Sequence, residues 1–305
     1  MHDVIIIGAG PAGYTAGIYC ARARHDTLLI SGILPGGQLM NTTDVENYPG
    51  FSDGIMGPDL MAVMRKQTEK MGTKIIDDEV TSVDFKNRPL KVKTASEEFE
   101  ARAVIVCTGA NPRKIGLDGE QTFAGKGVSY CATCDGAFFR DQELIVVGGG
   151  DSAMEEAIFL TKFASVVHIV HRKEEFRASK IMQERALSNE KIKVHFNSAV
   201  KEIHGDQKFQ QLILNNTKTN EDKILEAGGL FIAIGHEPNS AIFQDQIELD
   251  GNGYIIIKNN TETSVTGVFC AGDVHDHRYR QAITAAGFGC MAAIDVDKYL
   301  SESNT

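Results

Sequence analysis

The chain has 305 residues, of which 42% are hydrophobic and 24% are charged, and its formal net charge is −10. This composition is that of a globular protein and excludes an intrinsically disordered chain, while the acidic balance argues against general nucleic-acid binding, which needs a basic face. The sequence has no apolar run long enough to span a bilayer and a strand pattern begins at Asp3, so we expect no signal peptide, no membrane association and a cytoplasmic protein of roughly two domains.

The chain opens with a motif typical of dinucleotide binding. A short apolar strand over residues 4–7 runs into Gly8, Gly10 and Gly13 in a GxGxxG pattern, and an alanine-rich helix through Arg24 follows. The first two glycines permit a tight turn and close approach of the backbone to a pyrophosphate, and the third permits close helix packing. The helix N-terminus presents free N–H groups to the phosphates, so the sequence predicts a nucleotide site here.

The second strand is predicted over residues 27–30. The residue after it decides whether such a unit prefers a ribose with a free 2′-hydroxyl or one with a 2′-phosphate. An acid at that position would accept a hydrogen bond from a free 2′-hydroxyl, but this chain has Ser31, followed by Gly32 and by Gly36 and Gly37. We therefore expect ribose recognition from Ser31 or from backbone groups, with the backbone close to a ligand at the two later glycines. A flexible loop without a ligand is the alternative.

Two of the six cysteines, Cys131 and Cys134, have CxxC spacing. Without a secretory signal, such a pair is either half of a metal site or a redox-active dithiol. A structural zinc site needs a second close pair of cysteines or two histidines with three to five residues between them, and the sequence has neither, so we expect no metal. The other cysteines are expected to be buried small apolar residues, and they stand at positions 20, 107, 270 and 290.

A second glycine motif follows the cysteine pair. A strand over residues 144–147 leads into a Gly-Gly-Gly-Asp-Ser turn and a helix, and another strand covers residues 166–170. The loop after that strand carries Arg172, Lys173 and Arg177 in an otherwise acidic protein. Cations at this position accommodate a 2′-phosphate, which favours NADPH over NADH. A solvated run neutralised by two neighbouring glutamates is the alternative.

A third element lies near the C-terminus, where a strand within residues 267–273 ends at Gly-Asp and a small-residue helix runs through Ala293. Such a strand can offer Asp273 to a polar arm of a ligand, and the helix N-terminus can offer N–H groups to a ring. Two further apolar segments, residues 104–109 and 230–235, end in glycine turns. We expect them to be paired strands where the chain crosses between domains.

The two glycine motifs, the CxxC pair and the terminal Gly-Asp strand resemble the pyridine nucleotide-disulfide oxidoreductases. The details are similar to the low-molecular-weight, bacterial-type thioredoxin reductases, and the segments that carry the likeness are CATCDG at 131–136, GQL at 37–39, VENYPG at 45–50, HRK at 171–173 and DV at 273–274 with YRQA at 279–282. The resemblance implies an α/β fold with two Rossmann-like dinucleotide-binding domains, the NADPH domain inserted into the FAD domain. The implied domains are FAD-binding 1–112, NADPH-binding 113–241 and FAD-binding 242–305.

The resemblance also implies the cofactor contacts. Those to FAD fall in the stretch 31–38 and at other glycines, acids and amides, namely Gly8, Gly10, Gly13, Ser31, Gly32, Gly36, Gly37, Gln38, Asn47, Asp273, Val274, Arg280, Gln281 and Ala282. Those to NADPH are Gly150, Asp151, Ser152, Arg172, Lys173 and Arg177. Lys173 stands where the family commonly has a second arginine, and lysine lacks the planar fork of a guanidinium. The degree of preference for NADPH over NADH is therefore left open.

The activity implied by the resemblance is a two-electron relay from NADPH through FAD and the Cys131–Cys134 disulfide to oxidised thioredoxin or a thioredoxin-like protein. In that relay Cys134 faces the flavin, Cys131 attacks the acceptor and Asp135 handles the proton, although an Asp beside a short helix can instead be a cap. The cysteines and the NADPH motif share one domain, yet both must reach the same flavin. We therefore expect a rigid-body rotation about the crossovers near 109–115 and 235–241.

Two groups of side chains have alternative interpretations. Phe138, Phe139 and Arg140 follow the redox pair and are candidates for an acceptor docking patch, with burial of both rings equally expected. The histidines at 236, 275 and 277 show no metal pattern, so surface or hydrogen-bonding roles are expected for them.

The same scaffold is also compatible with other functions. We expect a homodimer that reduces thioredoxin, and the alternative is a flavoprotein reductase of this scaffold with another protein or a small disulfide as acceptor. Ferredoxin- and flavodoxin-NADP reductases lack the CxxC pair that this chain has. A nucleotide sensor or structural zinc protein would bind no flavin.

Overall fold

The structure, a computed structural model, describes residues 1–33 and 35–302. The strands in chain order are β1 (His2–Ile7), β2 (Thr27–Ile30), β3 (Asp44–Val45), β4 (Ile55–Met56), β5 (Lys74–Ile76), β6 (Val80–Asp84), β7 (Leu90–Thr94), β8 (Glu98–Val106), β9 (Ala110–Pro112), β10 (Val128–Ser129), β11 (Glu143–Val147), β12 (Val166–Val170), β13 (Ile192–His195), β14 (Ser198–Gly205), β15 (Phe209–Asn216), β16 (Asp222–Glu226), β17 (Gly229–Ile232), β18 (His236–Pro238) and β19 (Val268–Cys270). The α-helices are α1 (Pro11–Arg22), α2 (Gly57–Met71), α3 (Asp118–Thr122), α4 (Ala132–Asp135), α5 (Asp151–Leu160), α6 (Lys180–Leu187) and α7 (Ala282–Glu302), and 3₁₀ helices cover Gly37–Asn41, Gly136–Phe139 and Ala241–Phe243.

The chain divides into two compact units. Unit 1 consists of Met1–Asn111 together with His236–Thr305, and unit 2 is the inserted segment Pro112–Gly235. The sequence placed the two crossings at 112/113 and 241/242. Which nucleotide each unit binds stays a prediction.

The main sheet of unit 1 is parallel around β1, with β5, β2, β1 and β8 side by side. β8 is long enough to have two neighbours on its other edge, because its first half pairs with the antiparallel β7 and its last three residues pair with the parallel β19. Successive residues of β1 face opposite sides: Val4 and Ile6 pack with α1, α2 and α7, whereas Ile5 and Ile7 pack on the side of the β6–β7 hairpin. Burial of both faces explains why these strands read as continuous apolar runs.

Helix α7 packs against α1 through small residues. A Cβ atom built on Gly289 would lie 2.1 Å from the carbonyl oxygen of Ala12, so the two backbones approach more closely than a side chain would permit. The helix extends beyond the predicted end at Ala293 because Val296 and Leu300 continue its buried face. Helix α1 ends before the predicted Arg24, which has a positive φ of 68°.

This packing predicts opposite effects for two glycines of α7. Gly289→Ala should destabilise the protein by about 1–3 kcal/mol, because its Cβ meets backbone that must move. Gly287→Ala should stabilise it by up to about 1 kcal/mol, because the Cβ there meets nothing within 4 Å and alanine has the higher helix propensity. Urea unfolding of both variants measures the difference, and equal effects would contradict the close helix approach.

Unit 2 contains a second parallel sheet, of strand order β10-β17-β11-β12-β13. Leu144 and Val146 of β11 face α5 and α6, and Ile145 faces the antiparallel sheet β14-β15-β16, which contributes Leu212 and Leu214. Each unit thus has a parallel sheet covered on both faces, and the predicted α/β class with two dinucleotide-binding folds is confirmed.

The prediction that residues 104–109 and 230–235 pair with each other is wrong. β8 pairs with β1, β7 and β19, and β17 pairs with β10 and β11. The pair at the crossings is formed by the next segments, β9 and β18. The error has a physical reason: β8 and β17 are each central in a different sheet, so both edges of each strand are already occupied.

The isolated cysteines follow the prediction at three of four positions. Cys20, Cys107 and Cys270 are buried, but Cys290 on α7 is only partly buried and contacts Tyr19. Burial raises the pKa of Cys20 to about 12. Among the residues that the structure describes, no helix is both long and apolar enough to cross a membrane.

Candidate active site

Cys131 and Cys134 are joined by a disulfide at the start of α4. Cys131 precedes the helix as its N-cap, and its Sγ accepts a hydrogen bond from the backbone N–H of Cys134 at 3.2 Å. The hydroxyl of Thr133 lies 3.4 Å from the same sulfur. Such contacts stabilise negative charge on this sulfur once the disulfide is open, and a thiolate is the reactive form of cysteine.

Neither cysteine of this pair is a free thiol in the structure. Both sulfur atoms are used in the disulfide, and within residues 1–33 and 35–302 no group of three or more His, Cys, Asp or Glu could hold a metal ion. The CxxC pair has the disulfide form that the redox interpretation requires.

Asp135, the last residue of α4, is a largely buried carboxyl beside the disulfide. Its Oδ2 accepts a hydrogen bond from the Ser129 hydroxyl at 2.5 Å. Burial raises the pKa of Asp135 above its ordinary value, and the bond from Ser129 partly opposes that shift. The alternative interpretation as a helix cap is wrong, because the side chain makes no capping hydrogen bond to the 3₁₀ helix that follows.

Ser129 connects this acid to the redox pair, which the sequence analysis missed. Its Oγ also accepts a hydrogen bond from the backbone N–H of Cys131 at 3.0 Å. One hydroxyl therefore links the Asp135 carboxylate to the backbone of the first cysteine. No sequence motif marks the serine, since its importance depends on the turn between β10 and α4 that brings Asp135 back to it.

The two phenylalanines after the redox pair have different environments. Phe139 packs edge-on against Phe231 in the core of unit 2, with ring centroids 5.4 Å apart, whereas Phe138 is 43% exposed. Both rings border a surface cavity of about 600 Å³ that is also lined by Lys126 and Lys208. Burial of both rings is therefore wrong, and Phe138 with the exposed Arg140 remains the candidate docking patch.

The second glycine motif of the chain, residues 148–150, lies in unit 2 at the carboxyl end of β11. A Cβ on Gly149 would lie 2.3 Å from the ring of His171, so this histidine packs directly on the turn. The carbonyl of Gly149 accepts hydrogen bonds from the N–H groups of Arg177 at 2.7 Å and Ala178 at 3.1 Å. The fold thus joins the cationic loop to the glycine turn, as a site for a phosphorylated ribose beside a pyrophosphate requires.

The first turn of α5 carries the next two predicted contacts. A Cβ on Gly150 would meet nothing within 4 Å, which leaves open space at the helix N-terminus. Asp151 Oδ1 accepts hydrogen bonds from both the N–H and the hydroxyl of Ser179, each at 2.8 Å. Ser152 follows in the same turn and is partly buried.

Arg172 and Lys173 are exposed on the loop after β12, and residues far away in sequence support that loop. The Thr217 hydroxyl donates to the Arg172 carbonyl at 3.2 Å. Lys218, from the turn between β15 and β16, forms an ion pair with Glu174. This lysine, from outside the loop, therefore offsets one of the two glutamates that stand beside Arg172 and Lys173.

In unit 1 the predicted glycines form a cradle at the carboxyl end of β1. Gly8 has a φ of 106°, and a Cβ there would lie 2.4 Å from the Cys107 carbonyl oxygen. The N–H of Gly36 donates to the Ala9 carbonyl at 2.9 Å, and a Cβ on Gly37 would lie 3.6 Å from Gly10 Cα. The loop after β2 therefore lies against the GxGxxG turn.

Asp273 follows β19, which pairs with β8 in the same sheet. Its Oδ1 is buried and has no hydrogen-bond partner. Burial, together with charge repulsion from Asp276, raises the pKa of Asp273 to about 7, and the positive charge of Arg280 opposes the shift. A buried carboxyl oxygen without a partner is costly, and a hydroxyl donor from a ligand would satisfy it, so this group fits the polyol arm of a flavin nucleotide.

Two other predicted flavin contacts, Asn47 and Gln281, meet in the structure, and Gln38 contacts a residue outside the predicted set. The Asn47 amide lies 3.4 Å from the Gln281 side chain, and the Gln38 amide donates to Asn111 at 2.7 Å. Val274 is buried and Ala282 begins α7. A Cβ on Gly13 would lie 1.9 Å from the Gly8 carbonyl oxygen, and Gly32 has a positive φ of 82°. Leu34, within the predicted stretch 31–38, is outside the described residues.

The three histidines near this edge differ from one another. His236 is hydrogen-bonded to Arg280, and His277 is exposed, as expected. His275 differs from the expectation, because its ring packs edge-on against Phe288 at 4.4 Å and its Nε2 is buried without a partner. Burial lowers the pKa of His275 to about 4, so this imidazole is neutral at physiological pH.

Comparison with known proteins gives consistent matches over the whole chain. The model of the family "Pyridine nucleotide-disulphide oxidoreductase" matches residues 2–289. The chain is 55% identical over 99% of its length to a thioredoxin reductase of Streptomyces clavuligerus and covers 94% of that protein. It is 51% identical over 99% of its length to a bifunctional thioredoxin reductase/thioredoxin of Mycobacterium leprae and covers 66% of that protein. The solved thioredoxin reductase from Giardia duodenalis matches with a TM-score of 0.95 and 42% identity, covering 98% of this chain and 99% of that one.

Proposed function

This chain belongs to the pyridine nucleotide-disulphide oxidoreductase family, and within it to the thioredoxin reductases, and from that premise we propose that it transfers two electrons from NADPH to the disulfide of a thioredoxin-like protein. The single observation that carries the proposal is the Cys131–Cys134 disulfide, with Asp135 linked to it through Ser129. Opening the disulfide takes two electrons and one proton and gives one thiol and one thiolate. Reduction of an acceptor disulfide oxidises both cysteines back to the Cys131–Cys134 disulfide.

The roles of the two sulfurs follow from their contacts. The N–H of Cys134 donates to Cys131 Sγ, so Cys131 is the better stabilised thiolate and is assigned the attack on the acceptor disulfide. Cys134 then displaces the acceptor by attacking Cys131, and the disulfide re-forms. Asp135 holds the proton that is exchanged with the sulfurs. Its pKa is raised, so it lies closer to neutral pH than the pKa of an exposed carboxyl does.

The cofactors are assigned to the two glycine turns. FAD is placed in unit 1, supported by the glycine cradle at Gly8 and by the unpartnered oxygen of Asp273. NADPH is placed in unit 2, supported by the open N-terminus of α5 and by the exposed cations Arg172 and Lys173. When bound, the flavin supplies the two-electron chemistry that couples the nicotinamide to the disulfide.

The inserted unit is proposed to rotate during turnover. Both the disulfide and the α5 turn belong to unit 2, and both must approach a ring held by unit 1. The two crossings are short, and β9 and β18 form a two-stranded ribbon there, which can act as a hinge. A crosslink between the units that left turnover unchanged would contradict this step.

The acceptor is proposed to dock on unit 2 beside the disulfide. Phe138 offers exposed apolar surface, and Lys126 and Lys208 line the adjoining cavity. The relative from Mycobacterium leprae is named as both reductase and thioredoxin, which supports a thioredoxin-like acceptor. A homodimer remains part of the proposal.

The test of the function is an acceptor assay. With purified FAD-loaded protein, NADPH and oxidised thioredoxin, we expect one dithiol to form for each NADPH consumed. Dithiol formation with a small disulfide but none with thioredoxin would favour the alternative reductase. NADPH consumption without dithiol formation would contradict both.

The cofactor assignment predicts a selective effect at Arg172. Arg172→Ala should raise the KM for NADPH roughly 10-fold or more, because a charge-assisted bond to the 2′-phosphate is lost, and should leave the KM for NADH nearly unchanged. Lys162→Ala, an exposed cation after α5, is the matched control and should change neither constant. Equal effects of Arg172→Ala on both nucleotides would contradict a 2′-phosphate site in this loop.

A further inference from the structure

Ser31 stands where dinucleotide-binding folds commonly have an acid, but the structure places an acid beside it. β2 and β5 are parallel neighbours, with Ile30 opposite Ile76, so the residues that follow each strand lie side by side. The Ser31 hydroxyl donates to Asp77 Oδ1 at 2.8 Å, a shorter contact than its 3.0 Å approach to the Gly32 carbonyl. The carboxylate that β2 lacks therefore comes from the end of β5.

Arg65 of α2 holds this carboxylate in place. Its Nη1 and Nη2 donate to the two oxygens of Asp77 at 2.8 and 3.0 Å, and its Nε donates to Glu69 at 3.1 Å. Each nitrogen of the guanidinium thus donates to a carboxylate of unit 1. The hydrogen bonds from Arg65 lower the pKa of Asp77, which keeps the carboxylate ionised at neutral pH.

The position of Asp77 leaves it accessible to a ligand. Its side chain is 53% exposed. Ser31 itself is buried, and because its hydroxyl gives its proton to Asp77, the serine oxygen keeps only acceptor capacity. Both groups are then acceptors at the edge where the adenosine ribose of a dinucleotide lies.

We propose that Asp77, fixed by Arg65 and acting directly and through Ser31, is the specificity-determining residue for the adenosine ribose hydroxyls of the dinucleotide in unit 1. This inference rests on the proposal that unit 1 binds FAD. The Asp77 carboxylate and the Ser31 oxygen both accept hydrogen bonds, so they favour a free ribose hydroxyl. The negative charge of Asp77 repels a phosphate at the same position. The end of β12 in unit 2 has the opposite character, with Arg172 and Lys173 exposed. The two nucleotide sites are thereby distinguished by charge.

The test measures dissociation constants of FAD-free protein for FAD and for two analogues that carry 2′-deoxyadenosine or 3′-deoxyadenosine, by quenching of flavin fluorescence. We expect wild-type protein to lose roughly 10-fold or more in affinity for at least one analogue. Asp77→Asn should bind FAD roughly 10-fold or more weakly and should lose most of the discrimination against that analogue. Ser31→Ala, which leaves the Arg65–Asp77 ion pair intact, should reduce the same discrimination and covers the case that Asp77→Asn fails to fold.

Asp78→Asn is the matched control, because Asp78 is the next residue and its carboxylate bonds Ser96 instead of Ser31. We expect it to bind all three nucleotides as wild-type protein does. If Asp77→Asn and Ser31→Ala weaken FAD and both analogues by the same factor, the residues are only structural and the inference is overturned. If wild-type protein binds no FAD, the proposed function itself fails, and that result is distinct from the first.

Discussion

Replacing Cys134 by serine is expected to abolish reduction of the acceptor, with a loss of roughly 1,000-fold or more in turnover, while NADPH still bleaches the flavin band. The serine oxygen cannot form the disulfide that carries the electron pair out of the protein. Cys131→Ser should cause the same loss, because the thiolate that attacks the acceptor is then missing. Stopped-flow absorbance measures flavin reduction, and a dithiol assay measures the acceptor.

The matched control for these variants is Cys290→Ser. Cys290 lies on α7 in unit 1, outside the disulfide, and is partly exposed. We expect its variant to reduce the acceptor at the wild-type rate. Acceptor reduction that survived in Cys131→Ser or Cys134→Ser would contradict the assignment of the disulfide.

The second large effect is expected at Asp135. Asp135→Asn should lower turnover with the acceptor by roughly 100-fold or more, because the amide cannot hold or deliver the proton. Burial raises the pKa of this carboxyl, so the group acts as an acid below that pKa and activity falls as the pH rises through it. The variant should lose this limb of the pH–rate profile and keep its rate of flavin reduction by NADPH.

Ser129→Ala provides a second and more specific test of the same group. The hydrogen bond from Ser129 favours the ionised form of Asp135, so its removal should raise the pKa further and move the limb to higher pH. Asp118→Asn, an exposed carboxylate in the same unit, should leave the profile unchanged. A limb that stays in place in Ser129→Ala and in Asp135→Asn would belong to another group.

Much of this architecture could be predicted from the sequence because its signals are local. β2 and β12 have the predicted bounds, since an apolar run between polar turns defines a buried parallel strand. The glycine turn at Gly8 and the redox pair at Cys131 were found because each motif is contiguous. The family resemblance drawn from these motifs is confirmed by the relatives.

The features that the sequence did not predict depend on contacts between distant segments. Ser31 bonds to Asp77, forty-six positions away, and Glu174 pairs with Lys218, forty-four positions away. The pairing of β9 with β18 instead of β8 with β17 follows from which strand edges are already occupied. Periodicity identifies a strand but does not identify its neighbours, so these contacts require the folded chain.

The central claim, that electrons leave through the Cys131–Cys134 disulfide, is tested most directly by anaerobic titration of the FAD-loaded protein with NADPH, followed by addition of oxidised thioredoxin. The account predicts that the wild-type chain accepts two electron pairs, one on the flavin and one on the disulfide, and delivers both to an excess of oxidised thioredoxin, because the flavin pair also leaves through the disulfide. Cys134→Ser should accept one pair and return none to thioredoxin. Equal uptake and equal delivery by the two proteins would contradict the account.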